Sequence, residues 1–323
     1  MSQMIKSTID DIFSKIEFPQ EPAGLYDPLR YMISIGGKRI RPSLCLLSYS
    51  LFKGTDFPKS VLEPAMALEV FHTFTLIHDD IMDRSELRRS QPTVWKKWNE
   101  DTAILSGDVM LIDAYKRIAM AEPEYVADAL SLFSDTAAQV CEGQQLDMDF
   151  EQRDDVSIDE YRLMIGLKTA VLLACSAGMG ALLAGAGFNE RQALYDYGFH
   201  LGIAFQVADD YLDCFGDEKV FGKPIGGDII QQKKSWLAIK AMEIGGDKVR
   251  KALASEAAGT AEKAAKIELV RSYYLEYGVD ALARETIEYE SRRAMEALSL
   301  GNFSDRELAL LEEFATQLVG RAK

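Results

Sequence analysis

Two stretches of the chain are apolar on nearly every helical face, and both run into aspartates. Residues 61–80 (VLEPAMALEVFHTFTLIHDD) and 195–213 (YDYGFHLGIAFQVADDYLD) leave no broad polar stripe. Each therefore predicts a helix buried all round rather than one lying on a surface. A third stretch, residues 169–189 (TAVLLACSAGMGALLAGAGFN), carries no charge and is long enough to span a bilayer. It is mostly Ala and Gly with few large side chains, so it gains little from lipid and reads as a close-packed internal helix, with no membrane span expected. Helix starts are marked by Asp27 before Pro28, by capping boxes at Ser157/Glu160 and Ser304/Glu307, and by Asn189 with Gln192. No sustained alternation with Asn-Gly or Asp-Gly turns occurs, so strands are not needed. The pattern predicts an all-α protein. No linker or low-complexity tract divides it, and residues 1–323 read as a single domain.

Composition agrees: 48% of the residues are hydrophobic, enough for a full core, and only 9 are Pro. The net charge of −15 argues against a nucleic-acid partner, because phosphate-backbone binding needs a positive face. An anionic ligand would have to be held by local basic clusters or through metal. Cys45, Cys141, Cys175 and Cys214 are far apart, lie in apolar stretches and form no CxxC pair, which reads as buried thiols in a reducing cytosol. Asp10 and Asp11 fall where a signal peptide would need its apolar core, so a cytoplasmic location is expected.

The aspartates form two copies of DDxxD: Asp79, Asp80 and Asp83, then Asp209, Asp210 and Asp213. On a helix the first and last of each set stand one turn apart on one face, where like charges repel by a few tenths of a kcal/mol (~0.2–0.5). Carboxylates are also disfavoured near the C-terminal end of the helix dipole. A hard divalent cation offsets both costs, and Mg²⁺ typically takes one or two carboxylates together with substrate phosphates. Two such helices side by side would place all six carboxylates across one cavity. Six aspartates alone would equally suit a phosphohydrolase. The basic clusters separate the two readings: Gly36-Gly37-Lys38-Arg39-Ile40-Arg41-Pro42 and Arg88-Arg89 suggest two diphosphates, each held by charge-assisted hydrogen bonds. The GxxxxGK[ST] loop of nucleotide-binding proteins is missing.

With these motifs the chain resembles the all-trans isoprenyl diphosphate synthases, the polyprenyl synthetase family of farnesyl and geranylgeranyl diphosphate synthases. The resemblance rests on an ordered set: GGKRIRP (36–42), HTFTLIHDDIMD (72–83), LRRSQPT (87–93), GD (107–108), GQQLD (143–147), KT (168–169), FQVADDYLD (205–213), GKP (222–224) and GGDIIQQKKS (226–235). It implies about ten or more helices around a central active-site cavity, usually as a homodimer. It implies head-to-tail condensation of an allylic diphosphate with isopentenyl diphosphate. Carried over by position, Asp79, Asp80, Asp83, Asp209, Asp210 and Asp213 would hold three Mg²⁺ bridged by the allylic diphosphate. Arg88, Lys168, Lys223 and Lys233 would contact that diphosphate. Lys38, Arg41, His72 and Arg89 resemble the isopentenyl diphosphate site, and Thr169 and Gln206 the oxygen dipoles set against a developing carbocation. From the residues alone, His72 on its apolar helix reads more often as a satisfied core histidine than as a ligand, and Gln206 as a buried amide with a backbone partner.

Two positions depart from the family: Ser90 stands where Gly is usual after the double Arg, and Trp95 where His or Cys is usual. Neither is a charged ligand, so altered loop packing is expected, not lost chemistry. A terpene cyclase would share the fold, but should lack the second DDxxD and has no need of Lys38 and Arg41. A non-catalytic subunit of a heteromeric synthase would normally lose aspartates. The resemblance implies a product of C15 or C20: long-chain members of the family tend to have a small residue five before the first Asp, where this chain has Phe74, with Phe71 eight before, and Thr75, four before, is smaller than the aromatic often found there in farnesyl enzymes.

Overall fold

The two stretches that are apolar all round become long helices. The computed structural model describes residues 2–216 and 225–320, and Lys223 lies outside them. Helices α1 (Ser2–Ser14), α2 (Ala23–Ser34), α3 (Ile40–Lys53) and α4 (Lys59–Met82) are followed by a small hairpin, β1 (Leu87–Arg88) and β2 (Gln91–Pro92). Then come α5 (Val94–Lys97), α6 (Glu100–Ile118), α7 (Val126–Glu151), α8 (Ile158–Ile165), a π-helical turn (Gly166–Ala170), α9 (Val171–Leu183) and α10 (Phe188–Phe215). The C-terminal part contributes α11 (Gly227–Gln231), α12 (Trp236–Ala254, kinked at Gly246), α13 (Thr260–Glu276), α14 (Val279–Ala297) and α15 (Asp305–Val319). The fold is all-α. Its only strands among the described residues are the two of the hairpin, paired antiparallel with Leu87 opposite Pro92 and Arg88 opposite Gln91.

By contacts the chain divides into two units. One comprises Met1–Thr136 with Cys175–Tyr195, the other Ala137–Ala174 with Asp196–Lys323. In the first, α4 packs against α3 and α6. Ala65, Ala67, Leu68, Val70, Phe71 and Ile77 of α4 are 0–1% exposed, which accounts for the absence of a polar stripe in its sequence. Each large side chain buried in this way is worth about 1.5–3 kcal/mol. In the second unit α12 packs on α13 and α14, and α15 on α14. There Tyr197 of α10, fully buried, donates its hydroxyl to the Leu311 carbonyl at 2.7 Å. Glu290 of α14 is 1% exposed and joins two site-bearing helices: it accepts from Arg162 of α8 and lies 2.7 Å from His200 Nδ1 of α10. Burial alone would raise the Glu290 carboxyl, but these two partners hold it below its usual value.

Both capping boxes form as expected, Ser157 with Glu160 and Ser304 with Glu307. Helix α2 does not start at Asp27. It begins at Ala23, directly after Pro22, and carries Pro28 within it, while Asp27 pairs with Arg30 at 2.7 Å. Asn189 likewise sits inside the first turn of α10, which begins at Phe188. The uncharged stretch is an internal helix: residues of α9 are buried throughout, and 83% of the most apolar window of the helical run Ile158–Leu183 is buried inside the protein. Cys45, Cys175 and Cys214 are buried, but Cys141 is exposed on α7, because only one side of that helix faces the core and Cys141 is on the other.

Candidate active site

In the first unit the aspartates and the basic clusters meet at the C-terminal end of α4. Asp79 and Asp83 are half-buried, whereas Asp80, a quarter-turn and more around the helix, is 1% exposed. Both Asp80 oxygens are engaged by Arg88, with Nε at 3.0 and 2.9 Å and Nη2 at 2.7 Å. Asp80 therefore orients a guanidinium. Arg88 is placed by the hairpin, whose two central residues, Arg89 (φ +51°) and Ser90 (φ +61°), both take the left-handed conformation that a type I′ turn requires. The loop is tied down by Thr93 Oγ1 and Trp95 Nε1, which both donate to the Ser85 carbonyl at 2.8 Å. Trp95, the departure from the family pattern, thus braces the loop that carries both arginines. Ser90 holds a conformation that costs a non-glycine residue about 1–2 kcal/mol. Ser90→Gly is expected to stabilise the protein by about 0.5–1 kcal/mol, a rise in Tm of about 1–3 °C by calorimetry. A lower Tm would show that the Ser90 side chain makes up for its strain.

The cations of residues 36–42 converge on the same region. Arg41 is 8% exposed, and its Nε is buried without a hydrogen-bond partner, as is Glu69 Oε2. Burial, opposed by Glu69 and reinforced by the Arg89 charge, brings the Arg41 guanidinium down to about 10. His72 is held well below its usual value by burial first and then by the charges of Arg41, Arg88, Arg89 and Arg39, so its imidazole is neutral. The Arg89 guanidinium lies directly over Gly37: a Cβ there would come within 2.8 Å of both terminal nitrogens. A side chain at residue 37 would displace the end of the exposed, flexible Arg89 side chain. Lys38 is exposed beside it. Arg39 is different. It donates to the Ile33 carbonyl (3.0 Å) and to Glu69 (3.3 Å) and stacks on Phe13 at 4.2 Å, which makes it structural. Buried Arg41, with its Nε unpartnered beside exposed Lys38 and Arg89, is electrostatically incomplete, and an anion completes it.

The second unit carries Lys168, Thr169, Gln206 and the second aspartate set. Lys168 and Thr169 lie in the π-helical turn, a feature that re-aims side chains relative to a regular helix. This turn presses on α7 at Gly143, where a Cβ would fall 2.2 Å from the Lys168 nitrogen. One turn further along α7, Asp147 accepts from Lys168 Nζ at 2.6 Å. Thr169 Oγ1 donates to Gln206 Oε1 (3.0 Å), and Gln206 Nε2 donates to Asp210 Oδ1 (3.0 Å). Asp210, 7% exposed, also accepts at Oδ2 from the Tyr161 hydroxyl (2.6 Å) and the Trp236 backbone N–H (2.8 Å). Burial and the neighbouring Asp228 raise its carboxyl, and these hydrogen bonds oppose that rise. Asp213, 9% exposed, accepts from the Asp228 N–H at 3.0 Å, and its carbonyl accepts from the Gly226 N–H at 2.7 Å. Of the three, Asp209 is the half-buried one. Lys233 is half-buried just beyond α11, its N–H bonded to the Asp228 carbonyl at 3.0 Å.

The donor set at these two helix ends is all oxygen. Among the described residues no three His, Cys, Asp or Glu side chains form a ready-made metal cage. That composition fits Mg²⁺, which takes one or two carboxylates and completes its octahedron with water and substrate phosphate oxygens. The sequence pattern pools all six aspartates as ligands, whereas Asp80, Asp210 and Asp213 have oxygens already engaged by protein donors. Tyr161 and Glu69 do not stand out in the sequence, because their partners are 30 or more residues away and no spacing signal marks them. Asp147 and Asp228 fall within GQQLD and GGDIIQQKKS, but nothing local reveals that they meet Lys168 and Asp213.

Comparison with known proteins identifies the family. The polyprenyl synthetase family model matches residues 22–274. The chain is 40% identical over 320 residues to a short chain isoprenyl diphosphate synthase of Methanothermobacter thermautotrophicus, covering 98% of this chain and 94% of that one. It is 42% identical over 250 residues to a geranylgeranyl pyrophosphate synthase of Geoglobus acetivorans, covering 76% and 77%. A crystal structure of a geranylgeranyl pyrophosphate synthase superposes with a TM-score of 0.94 at 41% identity, over 99% of each chain. The chain belongs to the polyprenyl synthetase family. It is a prenyltransferase of the trans-isoprenyl diphosphate synthase type.

Proposed function

We propose that the protein condenses an allylic diphosphate with isopentenyl diphosphate, head to tail and with Mg²⁺, to release an all-trans C15 or C20 prenyl diphosphate, with C20 favoured. The observation that carries this reading is the coexistence of half-buried Asp79, Asp83 and Asp209 at helix ends with an incomplete cation cluster around Arg41 and His72. The C20 preference is supported by the small Thr75 beside Phe74 and by the names of the relatives.

In this reading Asp79, Asp83 and Asp209 hold the metals. When bound, Mg²⁺ neutralises charge growing on the departing diphosphate. The chain's own groups do the rest. Arg88, fixed by Asp80, and Lys168, fixed by Asp147, donate to the allylic diphosphate, together with Lys233 and Lys223. Lys38, Arg41, Arg89 and neutral His72 hold isopentenyl diphosphate. Thr169 and Gln206 turn oxygen dipoles toward the allylic cation, and apolar walls keep out the water that would quench it. The released diphosphate can accept the final proton, so no protein base is required. Residues 1–323 act as one catalytic domain, as a cytoplasmic homodimer. Exposed Ile104, Leu105 and Ile112 on α6 supply apolar surface for that association, which sedimentation at assay concentration tests.

The deciding experiment incubates the purified protein with Mg²⁺, isopentenyl diphosphate and each of the C5, C10 and C15 allylic diphosphates, with products sized by chromatography. No prenyl diphosphate from any starter would refute the reading. The two diphosphate sites are expected to separate by mutation. Arg41→Ala should raise KM for isopentenyl diphosphate about 10- to 100-fold, the worth of one or two charge-assisted bonds, and leave KM for the allylic substrate within about 3-fold. The opposite pattern would reverse the assignment.

A further inference from the structure

The hairpin that carries Arg88 and Arg89 is held in a conformation its own backbone disfavours. Arg84 (φ +51°) at its entry and Arg89 (φ +51°) and Ser90 (φ +61°) at its tip are all non-glycine residues in the left-handed region. Strain of this kind persists only where the surroundings over-determine the backbone. On the first leg that support falls on Ser85, which is paired at both of its peptide groups. Its N–H donates to the Asp80 carbonyl in the last turn of α4 at 3.0 Å, and its carbonyl accepts from Thr93 Oγ1 and from Trp95 Nε1, both at 2.8 Å. Thr93 takes one lone pair of that carbonyl, and Trp95 takes the other. On the second leg the Pro92 carbonyl accepts from the Tyr31 hydroxyl at 2.7 Å, a bond that reaches back to α2. The Tyr31 ring is itself fixed, edge-on to Trp98 with centroids 5.3 Å apart and with Lys97 Nζ 3.7 Å from its centroid.

The two arginines are neighbours in sequence but face different groups. Arg88 grips Asp80, and the Arg89 guanidinium lies over Gly37. A shift of the hairpin therefore moves both at once. We propose that Trp95 and Tyr31 are positioning residues: by pinning the carbonyls of Ser85 and Pro92, one on each leg, they hold Arg88 at the allylic diphosphate and Arg89 at isopentenyl diphosphate as a single unit. This inference rests on the prenyltransferase reading and adds to it a frame that serves both substrate sites together. It also gives Trp95 a task that depends on its indole N–H rather than on its bulk.

The test separates the N–H from the ring. Trp95→Phe keeps an aromatic ring near Arg84, whose guanidinium lies 5.9 Å from the ring centroid, but has no donor for Ser85. Trp95→His restores a donor, because imidazole Nε2 occupies the same place in its five-membered ring as indole Nε1. Tyr31→Phe deletes the other bond with the loss of one oxygen atom, so it decides the matter even if Trp95→Phe is unstable. In both Phe variants KM for the allylic diphosphate and KM for isopentenyl diphosphate should rise together, by about 5- to 10-fold each, the scale of one lost hydrogen bond, with kcat within about 3-fold of the parent. Trp95→His should bring both KM values back to within about 2-fold. A merely structural role gives the opposite split: a lower Tm and a smaller active fraction, hence a lower kcat with both KM values unchanged. That split in either Phe variant, a rise confined to one substrate, or a folded Trp95→His protein with KM values as high as those of Trp95→Phe would overturn the proposal. Failure of the parent to make a prenyl diphosphate from any starter would instead refute the functional reading itself.

Discussion

Asp209→Ala and Asp79→Ala are each expected to lower kcat by about 1,000-fold or more while leaving the fold intact. That loss corresponds to about 4 kcal/mol of transition-state stabilisation, the scale of one lost electrostatic group in a water-excluded site. Stability should move the other way, if at all. Asp79 stands one turn from Asp83 at the C-terminal end of α4, where like charge and the helix dipole both disfavour it. Its removal should therefore leave Tm unchanged or raise it slightly. Asp80→Ala should differ, because it would strip half-buried Arg88 of its buried bidentate partner and lower Tm. Excess chelator should abolish condensation by the parent protein, and added Mg²⁺ should restore it. Full activity in chelator, or a well-folded Asp209→Ala variant within about 10-fold of the parent, would overturn the metal assignment.

The expected contrast between Asp79 and Asp80 shows how far the sequence can be read. A DDxxD on a helix places its first and last residues on one face and its middle residue about 100° away, so the inward turn of Asp80 is implicit in the spacing. The same rule fails for Asp213. It shares a face with Asp209, yet it is buried because the backbone of residues 226–228 folds onto it, a tertiary event with no local signature. The π-helical turn is also hidden. Residues 166–170 continue an apolar helical pattern, and only the packing of Lys168 against Gly143 distinguishes them. What is legible is whatever depends on local periodicity or capping: the all-round burial of α4, the internal α9, and the boxes at Ser157 and Ser304. Cys141 departs from its expected burial because an apolar neighbourhood in sequence does not say which side of α7 a residue occupies.

Phe74→Ala is expected to move the product distribution to C25 or longer. By helical rise Phe74 and Phe71 lie about 7.5 Å and 12 Å from the Asp79 level of α4, so a tail growing along that helix meets Phe74 first. Phe74 is 8% exposed, and its ring contacts Phe71 (centroids 5.5 Å apart) and His78 (4.7 Å). Phe71 is sealed more deeply, at 1% exposed, with Phe133 at 5.2 Å and Tyr115 beyond it at 5.0 Å from Phe133. The rings form a continuous aromatic wall inside the first unit, and Phe74 is the more accessible of its two α4 phenylalanines. Truncating it removes the first obstacle while Phe71 still limits depth, so Phe71→Ala should extend products further only when Phe74 is already small. Both truncations open core cavities, at about 3–5 kcal/mol for each Phe→Ala change, so Phe74→Leu serves as the milder variant and should give a smaller shift in the same direction. Thr75 bonds its hydroxyl to the His72 carbonyl at 2.8 Å and adds little bulk, so Thr75→Phe should shorten products toward C15. A well-folded Phe74→Ala protein with an unchanged product distribution would show that the floor of the pocket is built elsewhere and that Phe74 serves only the core.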